Sequence, residues 1–225
     1  MPHVRTLVFD LDGTLVETAP DLTAALNTVL ALEGLPRADP IRARNAIGHG
    51  ARAMIKRALE DISEPADDAR LDRLLAEFLD YYVAHIADES HPYPGLIDAL
   101  DRLEKDGWQF AVCTNKRAPL ANALLDALDL SRRFRAIAGP DTFGMAKPDP
   151  AHLLRTIQAA SGDASAAIMV GDSRTDVDTA RAAATPVIGV DFGYTDTPMA
   201  EIGPDALISH YDEIVDAVER LSAGF

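Results

Sequence analysis

Asp10 and Asp12 stand two positions apart in Thr6-Leu7-Val8-Phe9-Asp10-Leu11-Asp12-Gly13-Thr14-Leu15. Two carboxylates this close, facing one crevice, can divide the work of phosphoryl transfer. One attacks phosphorus and forms an aspartyl-phosphate. The other gives a proton to the leaving oxygen and later takes one from water. D-x-D-G is also ordinary turn chemistry, so the four residues alone leave a plain Asp-rich turn open. Their position adds to the case. The apolar run before Asp10 reads as a strand buried on both faces. Asp10 is then at the strand's carboxyl end, where ligands bind in open α/β sheets. A carboxylate buried there needs a metal or a basic group to compensate its charge.

The same logic recurs in Ile168-Met169-Val170-Gly171-Asp172-Ser173-Arg174-Thr175-Asp176, where an apolar strand again runs into a carboxylate. Mg²⁺ takes one or two carboxylates, waters and substrate phosphate. Asp10, the backbone carbonyl of Asp12, and Asp172 can supply such a set, with Asp176 acting through water. A helix N-cap is the plain alternative for Gly-Asp-Ser. At the end of another apolar run, Thr114 and Asn115 can donate hydrogen bonds to phosphate oxygens, or simply make a turn. Lys147 lies in Met145-Ala146-Lys147-Pro148-Asp149-Pro150, where two prolines fix the backbone. A lysine held there can neutralise the nucleophile and the transferring phosphoryl group, although most lysines are simply exposed. Lys116 and Arg117 read as a solvated pair.

A second, softer group is Gly48-His49-Gly50 with Arg44 and Arg52 beside it. Glycines let backbone approach a ligand closely, and Arg suits a carboxylate, although Arg44, His49 and Arg52 taken singly also read as solvated surface. Gly13, Gly48, His49, Gly50 and Arg52 therefore join Asp12, Thr114, Asn115 and Lys147 as candidates for holding substrate. His85, His91, Trp108 and Tyr194 read as packing or surface residues.

The elements that must carry these groups follow from periodicity. Thr18-Ala19-Pro20-Asp21 starts a helix with Leu22, Leu26, Val29 and Leu30 on one face. Asp39-Pro40 starts another. Met54, Ile55, Leu59 and Ile62 mark a third stripe, and Leu71, Leu74, Leu75, Phe78, Leu79 and Tyr82 a longer one. Residues 17–88 thus read as a helical bundle. Beyond them strands and helices alternate. Strands are predicted at Phe110–Thr114, Arg135–Ala138, Ala167–Gly171, Val187–Val190 and Asp205–Ser209. Helices are predicted at Pro94–Lys105, around Leu120–Leu128, and at Pro150–Ala160, Thr175–Ala184 and Tyr211–Leu221. Alternation of this kind predicts a Rossmann-like α/β fold, a parallel sheet with helices on both faces. The predicted division is a core of residues 1–16 and 89–225 with an inserted α-helical cap at 17–88.

Composition narrows the partners. The chain of 225 residues is 48% hydrophobic, enough for a sizeable core. Its net charge of -15 disfavours nucleic acid and anionic membranes, which are bound through basic patches. A phosphate ester would be repelled too, so the site must supply its own local positive charge. The single cysteine, Cys113, sits in an apolar run and reads as a buried, inert thiol. No apolar run is long enough for a signal peptide or a membrane span, so a cytoplasmic monomer or homodimer is expected.

The four motifs together resemble the haloacid dehalogenase (HAD) superfamily over essentially the whole chain. Phe9-Asp10-Leu11-Asp12-Gly13-Thr14-Leu15 is similar to its D-x-D-G-T motif. Thr114 stands where its second motif has Thr or Ser, Lys147-Pro148 resembles the third, and Gly171-Asp172-Ser173 with Asp176 resembles the fourth. The resemblance implies Asp10 as nucleophile, Asp12 as acid and base, Thr114 and Lys147 as phosphoryl ligands, and Mg²⁺ as cofactor. Within the superfamily, Phe9 to Asp21, Tyr93-Pro94-Gly95, Val112 to Lys116, Gly193 to Ile208 and the Asn45–Gly50 loop resemble phosphoglycolate phosphatases, which implies phosphoglycolate as substrate. A phosphomutase of the β-phosphoglucomutase type, a pyrophosphatase, or a phosphatase of another small metabolite stays open. Asp12 argues against a dehalogenase or a phosphonatase.

Overall fold

The computed structural model describes residues 4–223; residues 1–3 and 224–225 of the expected core lie outside the described residues. The chain opens with β1 (Thr6–Phe9), β2 (Val16–Glu17), α1 (Ala19–Leu32), α2 (Pro40–Ala46), α3 (Ala51–Asp61) and α4 (Asp68–Ala84). It continues with β3 (His91–Pro92), α5 (Leu96–Lys105), β4 (Gln109–Cys113), α6 (Ala118–Ala127), β5 (Phe134–Ala138) and α7 (Pro140–Phe143). The last elements are α8 (Pro150–Ala159), β6 (Ala167–Gly171), α9 (Arg174–Ala182), β7 (Val187–Val190), α10 (Met199–Ile202), β8 (Ala206–Ile208) and α11 (Ile214–Ser222).

Six strands pair in the order β5-β4-β1-β6-β7-β8, all in parallel. Side chains alternate across a strand, so each strand feeds two layers. Leu7 and Phe9 of β1, Phe110 and Val112 of β4, and Ile168 and Val170 of β6 enter one layer with α5, α6 and α11. Val8, Ala111, Cys113, Ala167 and Met169 enter the other, with α8, α9 and α10. This is why those runs are apolar without alternation. Burial pushes the Cys113 thiol up to about 12, in keeping with an inert side chain.

The chain leaves β1 toward one edge through β4 and β5, and toward the other through β6, β7 and β8. The order therefore reverses at β1, and a crevice opens there at the carboxyl ends of the strands. Asp10, Thr114 and Asp172 each follow the last residue of β1, β4 and β6 directly. Strand order alone brings them to one place.

Helices α1 to α4 form a separate apolar cluster with Leu26, Val29, Met54, Ile55, Leu74 and Phe78 at its centre. The chain enters and leaves this unit through β2 and β3, which pair antiparallel at Val16–Pro92 and Glu17–His91. Asp21 fastens the exit, accepting hydrogen bonds from the N–H groups of Glu89 and Ser90 and from the Ser90 hydroxyl. Among the described residues no helix is long and apolar enough to cross a membrane.

Candidate active site

The turn after β1 is shaped by its neighbours. Gly13 has φ +84°, and a Cβ there would lie 2.5 Å from a carboxylate oxygen of Asp172 and 2.8 Å from the Tyr194 ring. Only glycine meets both demands. The Thr14 hydroxyl donates to one Asp172 oxygen at 3.0 Å, and the Tyr194 N–H donates to the other at 2.7 Å. Both oxygens of Asp172 are thus aimed by groups far away in sequence.

Asp10, Asp172 and Asp176 each place a carboxylate oxygen within 4.8 Å of the others. Lys147, from the loop between α7 and α8, sits among them with its side chain 2% exposed. Its ammonium is 2.8 Å from Asp10 Oδ1 and 2.6 Å from Asp176 Oδ1. Ser173 donates its N–H and hydroxyl to the remaining Asp176 oxygen, in a capping box that starts α9. Burial, then the charge of Asp176, pushes the Asp10 carboxyl up to about 6 against the pull of Lys147. Burial and the charges of Asp176 and Asp10 push Asp172 up to about 8. Burial works against the Lys147 ammonium, but Asp10 and Asp176 hold its proton affinity above the usual range.

One ammonium cannot balance three buried carboxylates. Asp10 Oδ1 is buried and, apart from the ion pair with Lys147, takes no hydrogen bond among the described residues. An all-oxygen donor set with uncompensated negative charge fits a hard divalent cation. Asp172 is held at both oxygens by Thr14 and Tyr194, and Asp176 at both by Lys147 and Ser173, which leaves Asp10 Oδ1 as the least engaged of the three sets of donors.

Thr114 is buried at the end of β4. Its neighbour Asn115 does not point its amide at an open space. The amide nitrogen donates to the Lys147 carbonyl at 3.1 Å, and the amide oxygen accepts the Lys147 N–H at 2.9 Å. Asn115 therefore clamps the backbone that carries the lysine. Lys116 departs from the solvated reading. Its side chain is 6% exposed and its ammonium donates to both oxygens of Asp12, at 2.9 and 3.2 Å. Arg117 is exposed as read.

A cavity of about 270 Å³ lies over these groups. Asp10, Asp12, Thr114, Asn115 and Lys116 form its floor, and Gly48, His49, Gly50 and Arg52 line it from the helical unit. Leu22, Phe78, Leu79 and Leu120 make much of the remaining wall. Arg44 does not enter it. Its guanidinium binds Glu17 through two hydrogen bonds, at 3.0 and 2.8 Å, and lies over the Tyr194 ring. Arg52 reaches the cavity with its guanidinium held by Asp68 and Asp72.

Tyr194 and Glu17 escaped sequence reasoning. The Tyr194 hydroxyl accepts from the N–H groups of Thr18 and Ala19 and donates to Glu17 at 2.7 Å. Tyr93 adds a hydrogen bond to Glu17. Burial works against the Glu17 carboxylate, yet bonds from Arg44 and Tyr194 hold it below its usual range. The one tyrosine thus fixes Asp172 by its backbone and the start of α1 by its hydroxyl. Tyr194→Phe should cost about 2–3 kcal/mol, the scale of stranding a buried donor and loosening a charged partner. Urea unfolding reads this, and a loss below about 0.5 kcal/mol would show that the junction is held elsewhere.

The profile of the haloacid dehalogenase-like hydrolases matches residues 4–184. A phosphoglycolate phosphatase of Mesorhizobium japonicum is 53% identical, with 96% of this chain and 95% of that protein aligned. An N-acetylmuramic acid 6-phosphate phosphatase of Pseudomonas aeruginosa is 35% identical over 97% of this chain and 96% of its own. A crystal structure of a predicted phosphoglycolate phosphatase from Haemophilus somnus superposes with a TM-score of 0.88 at 27% identity, covering 96% of this chain and 99% of the other.

Proposed function

The chain belongs to the haloacid dehalogenase-like hydrolases, and from that premise we propose that it is a Mg²⁺-dependent phosphatase of small phosphate monoesters, with phosphoglycolate as its substrate. Asp10 attacks phosphorus in line and forms an aspartyl-phosphate. Asp12 gives its proton to the departing oxygen, then takes one from the water that hydrolyses the intermediate. Lys147 and Thr114 hold the phosphoryl oxygens. Asp10, the Asp12 carbonyl and Asp172 hold Mg²⁺, with Asp176 behind them, and the ion, when bound, offsets the charge of the phosphoryl group. Residues 17–88 act as a cap over a core of 1–16 and 89–225 and exclude water while the ester is bound.

The observation that carries this reading is Asp10 Oδ1, a buried carboxylate oxygen at a strand end with no partner among the described residues beyond the buried Lys147 ammonium at 2.8 Å. Purified protein offered a panel of phosphorylated metabolites, with released phosphate measured, tests it. Phosphoglycolate should show the highest kcat/KM, and no release from any ester would refute the reading. The apolar cavity wall favours a bulkier ester as a second reading, and a higher kcat/KM for a sugar phosphate in the same panel would establish it.

Metal dependence has a readout besides activity. Mg²⁺ should raise the thermal midpoint, because a ligand at about a hundred times its Kd stabilises the folded state by about 2.7 kcal/mol. Asp172→Asn should abolish the shift. An equal shift in wild type and variant would place the ion elsewhere.

A further inference from the structure

The sequence points to the arginines near Gly48-His49-Gly50 for the far end of the substrate, but the ion pairs leave them poorly suited. Arg44 is spent on Glu17 and Arg52 on Asp68 and Asp72. Lys147 is enclosed by Asp10 and Asp176. Arg117 lines the cavity with its side chain 67% exposed. Lys116 is different. It lines the cavity, its side chain is buried, and its ammonium touches both oxygens of Asp12.

Above Lys116 is Tyr82, which comes from α4 in the helical unit. The ammonium lies 4.6 Å from the centre of its ring. Tyr82 is 1% exposed and lines the same cavity, yet among the described residues its O–H meets no acceptor, its polar neighbour being the Lys116 ammonium. Buried hydroxyls are nearly always satisfied, so an orphan in a cavity wall asks for a ligand atom. Lys has three N–H donors; Asp12 takes at most two, and the ammonium also neighbours the Tyr82 hydroxyl, which leaves the phenol its own O–H to donate. The cavity wall therefore holds a buried ammonium charge and one phenol O–H without an acceptor, beside the residue that handles the ester oxygen.

We infer that Lys116 and Tyr82 form the subsite for a carboxylate on the leaving group. The inference rests on the phosphatase reading and names what that site selects. In phosphoglycolate a single methylene separates the ester oxygen from the carboxylate carbon. An ester oxygen set against Asp12 carries its carboxylate no further than the groups around Asp12, and Lys116 is in contact there. A carboxylate accepts from both donors at once. Tyr82 comes from the cap and Lys116 from the core, so such a ligand ties the two together.

The test separates recognition from chemistry. Wild type, Lys116→Met and Tyr82→Phe are titrated calorimetrically, with Mg²⁺ present, with 3-phosphonopropionate and with propylphosphonate. The first is a non-hydrolysable analogue of phosphoglycolate and the second lacks its carboxylate. Wild type should prefer the first, and the preference should fall by about tenfold or more in Lys116→Met and by about threefold in Tyr82→Phe, the scale of a lost charged hydrogen bond. Tyr82→Phe changes one atom, so folding is retained. Parallel kcat/KM values for phosphoglycolate and ethyl phosphate should show the same loss of ratio. No preference in wild type, or equal weakening of both ligands in both variants, overturns the subsite. A preference that is lost in the variants without turnover of any ester keeps the subsite and sinks the phosphatase reading instead.

Discussion

Asp10→Asn should lose turnover of every phosphate monoester by about five to six orders of magnitude, the scale of removing a covalent nucleophile. A neutral amide cannot attack phosphorus. The same substitution should leave the fold intact, for a reason specific to this site. Asp10 is one of three crowded buried carboxylates, and its proton affinity is raised by burial and by Asp176. An isosteric neutral group relieves part of that repulsion, while Lys147 keeps Asp176 as its partner. Without metal, the thermal midpoint of Asp10→Asn should equal or exceed that of wild type. Phosphate release and a thermal melt on one preparation read both effects. Wild-type-like turnover in a homogeneous sample would eliminate Asp10 as nucleophile. A collapsed melt would show that Asp10 is held in place by more than charge balance.

Asp12→Ala should slow alkyl phosphate hydrolysis by about a hundredfold to ten-thousandfold, the range for a positioned general acid. The loss should be smaller for p-nitrophenyl phosphate, whose leaving group needs little protonation. The structure adds a complication that the motif does not reveal. Removing Asp12 leaves the buried Lys116 ammonium without its carboxylate, and breaking a buried pair from one side costs about 3–5 kcal/mol. Asp12→Asn keeps the shape and a hydrogen-bond acceptor, so it is the better-folded companion. Proton transfer is lost in both variants, and both should show the same leaving-group dependence. Equal losses on the two esters would give Asp12 another role.

Leu7–Phe9 and Ala167–Val170 are apolar at every position facing either layer, so their burial in a parallel sheet is written locally. Parallel strands share one carboxyl edge, and the residues after them must meet there. That is why Asp10 and Asp172 can be placed side by side from the strand pattern, whereas Thr114, open between a turn and a phosphate ligand, is assigned through the family resemblance. Gly13 was also legible, as a turn residue, although the carboxylate that excludes its Cβ was not.

Which charges are spent depends on contacts between residues far apart in the chain. Lys116 finds Asp12 across 104 positions, Thr14 finds Asp172 across 158, and the Tyr194 hydroxyl finds Glu17 across 177. A long flexible side chain beside a motif looks alike in sequence whether solvent or a buried carboxylate receives it. Arg44 and Arg52 look equally free in the sequence. One is bound to Glu17 at the junction of the two units and the other to two aspartates of α4. Strand pattern is a property of neighbours along the chain, whereas the pairing of a charge depends on which distant atoms the packed layers bring within about 3 Å of it.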